Sequence, residues 1–235
     1  MWNTGNSPQT PGIAMNRLRV AVMMLIVAGL AAGCSTFARG GPDEVVVTLE
    51  TAAGNIDIAV SPERAPLSAG DFLRYVDAKL YDGAWFYRTV RPDNDHGSPN
   101  IEVIQGGLID DPRKLPPIAH ETTRDTGIQH VDGTVSIARD AVGTGTAAAF
   151  FICIGKQPAL DFGGLRNRDG QGFAAFGHVV RGMDVVRKIQ AMPATGPSDT
   201  AYTAGQMISK PVVIQRAYRK NTRAVAEGDR PGLRN

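Results

Sequence analysis

Cysteine is nearly absent: Cys34 and Cys153 are the only two in 235 residues. That excludes a disulfide-stapled scaffold, and the dissimilar settings of the two argue against a single bridge. Four histidines, His96, His120, His130 and His178, are scattered without ligand spacing, so no metal site is expected. Excess charge is lacking too. The formal net charge is +2, and Arg17 and Arg19 account for it, leaving 23 basic and 23 acidic residues in the rest of the chain. A neutral body offers no electrostatic case for nucleic acid as partner. No apolar run reaches the roughly 20 residues that a membrane-spanning helix needs, and no internal repeat is present.

Several short motifs lack the context that would give them meaning. Asp161-Phe162-Gly163 copies a kinase tripeptide without a Gly-rich or catalytic loop. Gly143-Thr144-Gly145-Thr146 lacks the Gly-Lys-Ser/Thr of a phosphate loop. Asn167–Gln171 has too few carboxylates for a calcium loop. Ser136 lies outside any Gly-x-Ser-x-Gly context, and Cys153, in an apolar strand, reads as an inert buried thiol.

What is present starts with an address. Val20–Gly33 is an apolar run of 14 residues behind Arg17 and Arg19, the form of a secretory signal. Leu30-Ala31-Ala32-Gly33-Cys34 resembles the lipobox of bacterial lipoproteins, with Ala31 where a larger aliphatic residue is usual. The expectation is a signal over 15–33, lipid on Cys34 and a periplasm-facing, membrane-anchored protein. The alternative is a plain secretory signal and a periplasmic protein. Residues 1–14 carry no charge, so Met15 is read as the initiator. A thioether-linked diacylglycerol plus an N-acyl chain exceeds what stable anchoring requires.

A polar tether over 34–43 leads into one folded domain, 44–218, with a disordered tail over 219–235. Hydrophobic content of 43% and charged content of 20% are ordinary for a globular body. Strands are expected at Glu44–Glu50, Ile56–Val60, Ala84–Val90, Ile101–Gln105, Thr134–Ala138, Phe150–Ile154, Phe173–Val180 and Val212–Ala217. Gly54-Asn55 reads as the first hairpin turn. One helix opens at Pro66 with a stripe of Leu67, Phe72, Leu73, Val76 and Leu80, and another covers Met183–Ala191. Eight strands of antiparallel length with two helices predict a mainly β fold, a closed eight-stranded antiparallel β-barrel capped by two α-helices.

Phe86-Tyr87-Arg88-Thr89-Val90, followed by Ile104-Gln105-Gly106-Gly107, resembles the FHR…QGG signature of the cyclophilins. Gly133–Ala138, Phe150-Phe151-Ile152, Leu160-Asp161, Phe176-Gly177 and Gly182-Met183 resemble further motifs of that family, in its order. The resemblance spans about Glu44 to Ala217. It implies a peptidyl-prolyl cis–trans isomerase that acts on Pro-containing polypeptides without a cofactor; nothing in the sequence suggests more than a monomer. The role would be to assist folding of exported proteins. It also implies Arg88 as the catalytic cation and Gln105 as a catalytic glutamine that holds the substrate carbonyl or orients the arginine. Phe86, Val103, Ala138, Phe151, Leu160 and Phe173 would bind substrate. On an ideal strand, Phe86 and Arg88 share one face.

Departures leave other readings open: a non-catalytic module that holds Pro-containing segments, or a structural envelope lipoprotein. Glu102 stands where the family has phenylalanine, Arg139 where it has asparagine, and Ala149 where it has glutamine. Phe173 replaces a pocket histidine, and Ala159 replaces a tryptophan that favours cyclosporin, so cyclosporin should inhibit weakly. Two insertions, Arg91–Asn100 and Phe162–Gly172, adjoin the inferred groove and are expected to extend its rim.

Overall fold

A computed structural model describes residues 43–220. The signal, the tether up to residue 42, Cys34 and the tail beyond 220 lie outside the described residues.

Eight antiparallel strands close into a barrel in the order β1-β2-β7-β5-β6-β4-β3-β8. They are β1 (Val45–Thr51), β2 (Gly54–Val60), β3 (Trp85–Val90), β4 (Val103–Gly107), β5 (Thr134–Ile137), β6 (Ala149–Cys153), β7 (Ala174–Arg181) and β8 (Met207–Arg219). Closure leaves no strand edge for aggregation. The expected barrel is the one observed, and its inward residues form one apolar core. Phe86 meets Phe150 edge-on at 5.7 Å, and Phe72 packs on Phe150 at 5.6 Å and Phe176 at 4.9 Å.

Helix α1 (Pro66–Asp77) and helix α3 (Met183–Gln190) sit at opposite ends of β2. The backbone at Gly182 lies against Asn55 at the start of that strand, while α1 follows its far end at Val60. Pro66 suits the first turn because its missing N–H has no intrahelical partner there. No neighbouring side chain caps α1. Instead the carboxylate of Glu121, distant in sequence, accepts from the N–H groups of Leu67 (3.1 Å) and Ser68 (2.6 Å). A third helix, α2 (Thr123–Thr126), is one turn fixed by a Thr122/Asp125 capping box and a left-handed Gly127.

Four local expectations are corrected. The first hairpin turns at Ala52-Ala53, and Gly54 already belongs to β2; Thr51 Oγ1 closes the turn onto the Gly54 carbonyl at 2.6 Å. Leu67 of the supposed helical stripe is 47% exposed, and the buried face of α1 carries Tyr75 and Asp71 instead. Strand β8 runs from Met207 to Arg219, well beyond 212–217, so Arg219 is strand rather than tail and pairs with Asp77. Pro211 lies within β8 where its register against β3 jumps, a position that suits a residue with no N–H.

The fourth correction matters most for function. Opposite β4, Phe86 pairs with Gly106 and Arg88 with Gln105, so Tyr87 is an extra, bulged residue. The bulge breaks the two-residue alternation. Phe86 therefore points into the barrel, fully buried, while Arg88 faces out with Val90. Phe86 does not line the groove, and its expected contact with substrate is withdrawn.

Candidate active site

The groove lies on the outer wall of β3, β4 and β6 and encloses about 610 Å³. One row of the sheet organises it. Arg88 on β3 is paired with Gln105 on β4, which is paired with Phe151 on β6 and then with Ser136 on β5. Neighbouring strands lie about 4.8 Å apart, so two strand steps, roughly 10 Å, separate Arg88 from Phe151.

Arg88 is held by neutral oxygens. Its Nη1 donates to Gln105 Oε1 at 2.9 Å, while Nε and Nη2 donate to Gln206 Oε1 at 2.9 and 2.6 Å. A guanidinium has five N–H groups; three are used here, and two remain for an acceptor in the groove. No carboxylate pairs with Arg88 among the described residues, so its charge is not neutralised by a partner acid. Tyr202 covers this end, its ring centroid 5.3 Å from Arg88 Cζ. Tyr87, buried beside Gln105, has its hydroxyl pushed up to about 12 by that burial.

Phe151 forms the apolar end. Its ring stacks on His130 at 5.8 Å and meets Phe173 edge-on at 5.4 Å. Val90, Ile101, Val103 and Leu160 complete a second apolar cluster outside the barrel, with Ala138, Ala159 and Phe173 against it. The groove lining thus contains Arg88, Gln105, Val103, Ala138, Phe151, Leu160 and Phe173, all singled out from sequence.

Behind Phe151, His130 Nδ1 lies 2.8 Å from Asp161 and Nε2 lies 3.0 Å from Ser136 Oγ. The contact order is that of a hydrolase triad. Both His130 and Ser136 are almost wholly buried, so no acyl substrate reaches the hydroxyl. Burial lowers the His130 pKa against the opposing pull of Asp161, which suits a neutral ring whose N–H points to the carboxylate. The trio supports Phe151 from behind. Cys153 is likewise buried, and burial pushes its thiol well up, leaving an unreactive side chain.

The substituted positions take different roles. Glu102 accepts from Gln190 at 3.1 Å and does not line the groove. Arg139 grips the 162–172 loop, donating to Asp169 at 2.7 and 2.9 Å and to the Gly172 carbonyl at 2.8 Å. Its bonds hold the Asp169 carboxyl down at about 2. Ala149 leaves space in the lining where a long amide would stand.

Sequence reading missed Gln206, Tyr202, Asp95 and Arg166. Gln206 is 118 residues from Arg88 in a Thr/Ser/Gly-rich stretch with no motif, so no local signal marks it. Asp95 and Arg166 lie in the two insertions and pair at 2.7 Å.

The family model for "Cyclophilin type peptidyl-prolyl cis-trans isomerase/CLD" matches residues 46–218. Peptidyl-prolyl cis-trans isomerase A of Dickeya dadantii is 33% identical over 204 residues, covering 85% of this chain and 96% of its own length. A peptidyl-prolyl cis-trans isomerase of Acinetobacter baylyi is 32% identical over 154 residues, covering 64% and 74%. A crystal structure of a Cryptosporidium parvum cyclophilin type isomerase superposes with a TM-score of 0.55 at 16% identity, over 76% of this chain and 99% of that one. That last likeness concerns the fold. With the motif residues Arg88, Gln105, Phe151 and Leu160 lining one groove, and the family model covering nearly the whole described body, the chain belongs to the cyclophilin-type peptidyl-prolyl cis-trans isomerases.

Proposed function

We propose that this chain isomerises X–Pro bonds of exported polypeptides, from a lipid-anchored position on a periplasm-facing membrane, and so assists their folding. The signal-like run over 20–33 and the lipobox-like 30–34 support export and anchoring. Isomerase activity accords with the family.

Rotation about X–Pro faces a barrier of about 18–20 kcal/mol, because resonance gives the C–N bond double-bond character. Unaided it takes tens to hundreds of seconds, long enough to limit folding. Twisting removes the nitrogen lone pair from conjugation and leaves it basic. A fixed cation aimed at that nitrogen binds the twisted state better than the planar one, which lowers the barrier. Arg88 has the required properties: permanent charge, spare N–H groups and an orientation set by two neutral amides. Phe151, Val103 and Leu160 accept the proline ring, which fixes the bond relative to the cation. No bond is made or broken, so neither nucleophile nor cofactor is called for.

The observation that carries this reading is the shared row of Arg88, Gln105 and Phe151. A cation and a platform for the proline ring on one line of the groove are what this reading requires, and the row supports it. For the export claim, cells grown with labelled palmitate should incorporate it into the wild-type chain and not into Cys34→Ala, which should leave the membrane fraction. Equal labelling, or membrane retention of the variant, contradicts the anchor.

A further inference from the structure

The two insertions meet away from solvent. Asp95 and Arg166 form a bidentate pair at 2.7 Å on both arms, with side chains 0% and 3% exposed. Asp95 also accepts from the N–H groups of Gly97 (3.0 Å) and Ile101 (2.8 Å), and Arg166 donates to the Pro99 carbonyl at 2.9 Å. Burial works against the Asp95 charge, but these bonds outweigh it and hold its carboxyl below the usual range. Gly97 makes room: a Cβ there would lie 2.3 Å from the Arg166 guanidinium.

Two contact lines lead from this loop to Arg88. In the first, Arg166 Nη2 donates to Tyr202 Oη at 2.9 Å, and the Tyr202 ring covers the Arg88 guanidinium at 5.3 Å. In the second, Gln206 Nε2 donates to the Asn94 carbonyl at 2.7 Å, which turns Gln206 Oε1 toward Arg88. Asn94 is itself tied by its Nδ2 to the carbonyls of Gly205 (2.9 Å) and Thr89 (3.2 Å). Neighbouring residues, Asn94 and Asp95, thus act on one guanidinium by separate routes.

A buried ion pair is a poor source of stability, since desolvating each ion costs several kcal/mol and an apolar pair often serves as well. Fixing one arrangement is a better account of it. We propose that the 91–100 loop is a positioning brace for Arg88, with Asp95 acting through Arg166 and Tyr202, and Asn94 through Gln206. This rests on Arg88 being the group that meets the prolyl bond. Where one oriented cation does the work, a displacement of about 1 Å can cost on the order of a hundredfold in rate.

The test compares wild type with the double variant Asp95→Leu/Arg166→Met, whose apolar pair avoids an orphaned buried charge, and with Tyr202→Phe, which cuts only the hydroxyl link. Two quantities are read: kcat and KM on an X–Pro peptide, and the Arg88 Nε–H NMR resonance of the substrate-free protein. The brace predicts a displaced or broadened Arg88 resonance in both variants. It predicts kcat at least about tenfold lower in the double variant, with KM within about twofold. An Arg88 resonance at its wild-type position in the folded double variant overturns the brace, whatever the turnover. A displaced resonance with unchanged kcat in an active enzyme overturns it as well. An inactive wild type contradicts the catalytic reading instead, and the resonance still decides whether the brace holds.

Discussion

Gln206 Oε1 accepts two hydrogen bonds from Arg88, at 2.9 and 2.6 Å, across 118 residues of chain. Gln206 is fully buried, and its own amide nitrogen is spent on Asn94. Substituting Gln206→Leu strands Arg88 Nε and the Asn94 carbonyl without partners. The expected results are a stability loss of about 1–3 kcal/mol and a fall in kcat/KM of roughly tenfold, measured by urea unfolding and peptide isomerisation. Unchanged kcat/KM in the folded variant assigns Gln206 to structure alone.

Phe151 stacks on His130 and meets Phe173 edge-on, and in the proposed function it is the platform for the proline ring. Phe151→Ala should cost about 3–5 kcal/mol of stability, as removal of a buried aromatic does. Among molecules still folded, KM for X–Pro peptides should rise. A KM that stays put would place the proline ring elsewhere in the groove.

His130 is kept neutral by burial, so its folded pKa lies below the ordinary 6.5. The folded state then binds fewer protons than the unfolded chain. Its contribution is complete above about pH 6.5 and is lost as pH falls from there through the folded pKa. The urea midpoint of wild type should drop between pH 7.5 and pH 5, and His130→Gln should show a flatter profile. Parallel profiles for the two proteins contradict this role.

Arg139 is the latch of the 162–172 loop rather than a donor to substrate. Arg139→Ala should raise hydrogen exchange at Gly170 to Phe173 while leaving the barrel amides protected. The Arg139–Asp169 contact should persist to low pH. The Asp169 carboxyl sits at about 2, so this contribution is present above its ordinary pKa and is lost as pH falls through about 2. Unaltered loop exchange in the variant rules out the latch.

Cyclosporin should inhibit poorly. By the resemblance, Ala159 takes the place of a tryptophan that favours cyclosporin; its carbonyl accepts instead from the N–H of Arg166 in the 162–172 loop, at 3.1 Å. Nanomolar inhibition of peptide isomerisation would refute this expectation.

Much of the barrel was legible because each strand carries its own β-rich run and the family motifs fall in order. The elements missed were those that tertiary contact decides. Strand β8 continues through Pro211 although its register against β3 breaks there, with four residues of β8 set against the single Tyr87. The one-turn α2 rests on a Thr-x-x-Asp cap that was visible but too short to stand out. Phe86 was misplaced for a related reason: an alternating pattern cannot reveal the extra residue Tyr87. In the site, motif residues such as Arg88 and Phe151 could be named from sequence. Gln206, Tyr202 and the Asp95–Arg166 pair could not, because their roles exist only once distant loops meet over the groove.

The most direct test of the central claim is isomerisation of a short X–Pro peptide by the wild-type protein beside Arg88→Ala. Arg88 is part-exposed and bonded only to neutral oxygens, so the variant should stay folded, which circular dichroism would confirm. The account predicts clear acceleration by wild type and near-complete loss in the variant. Equal acceleration by the two proteins would contradict it.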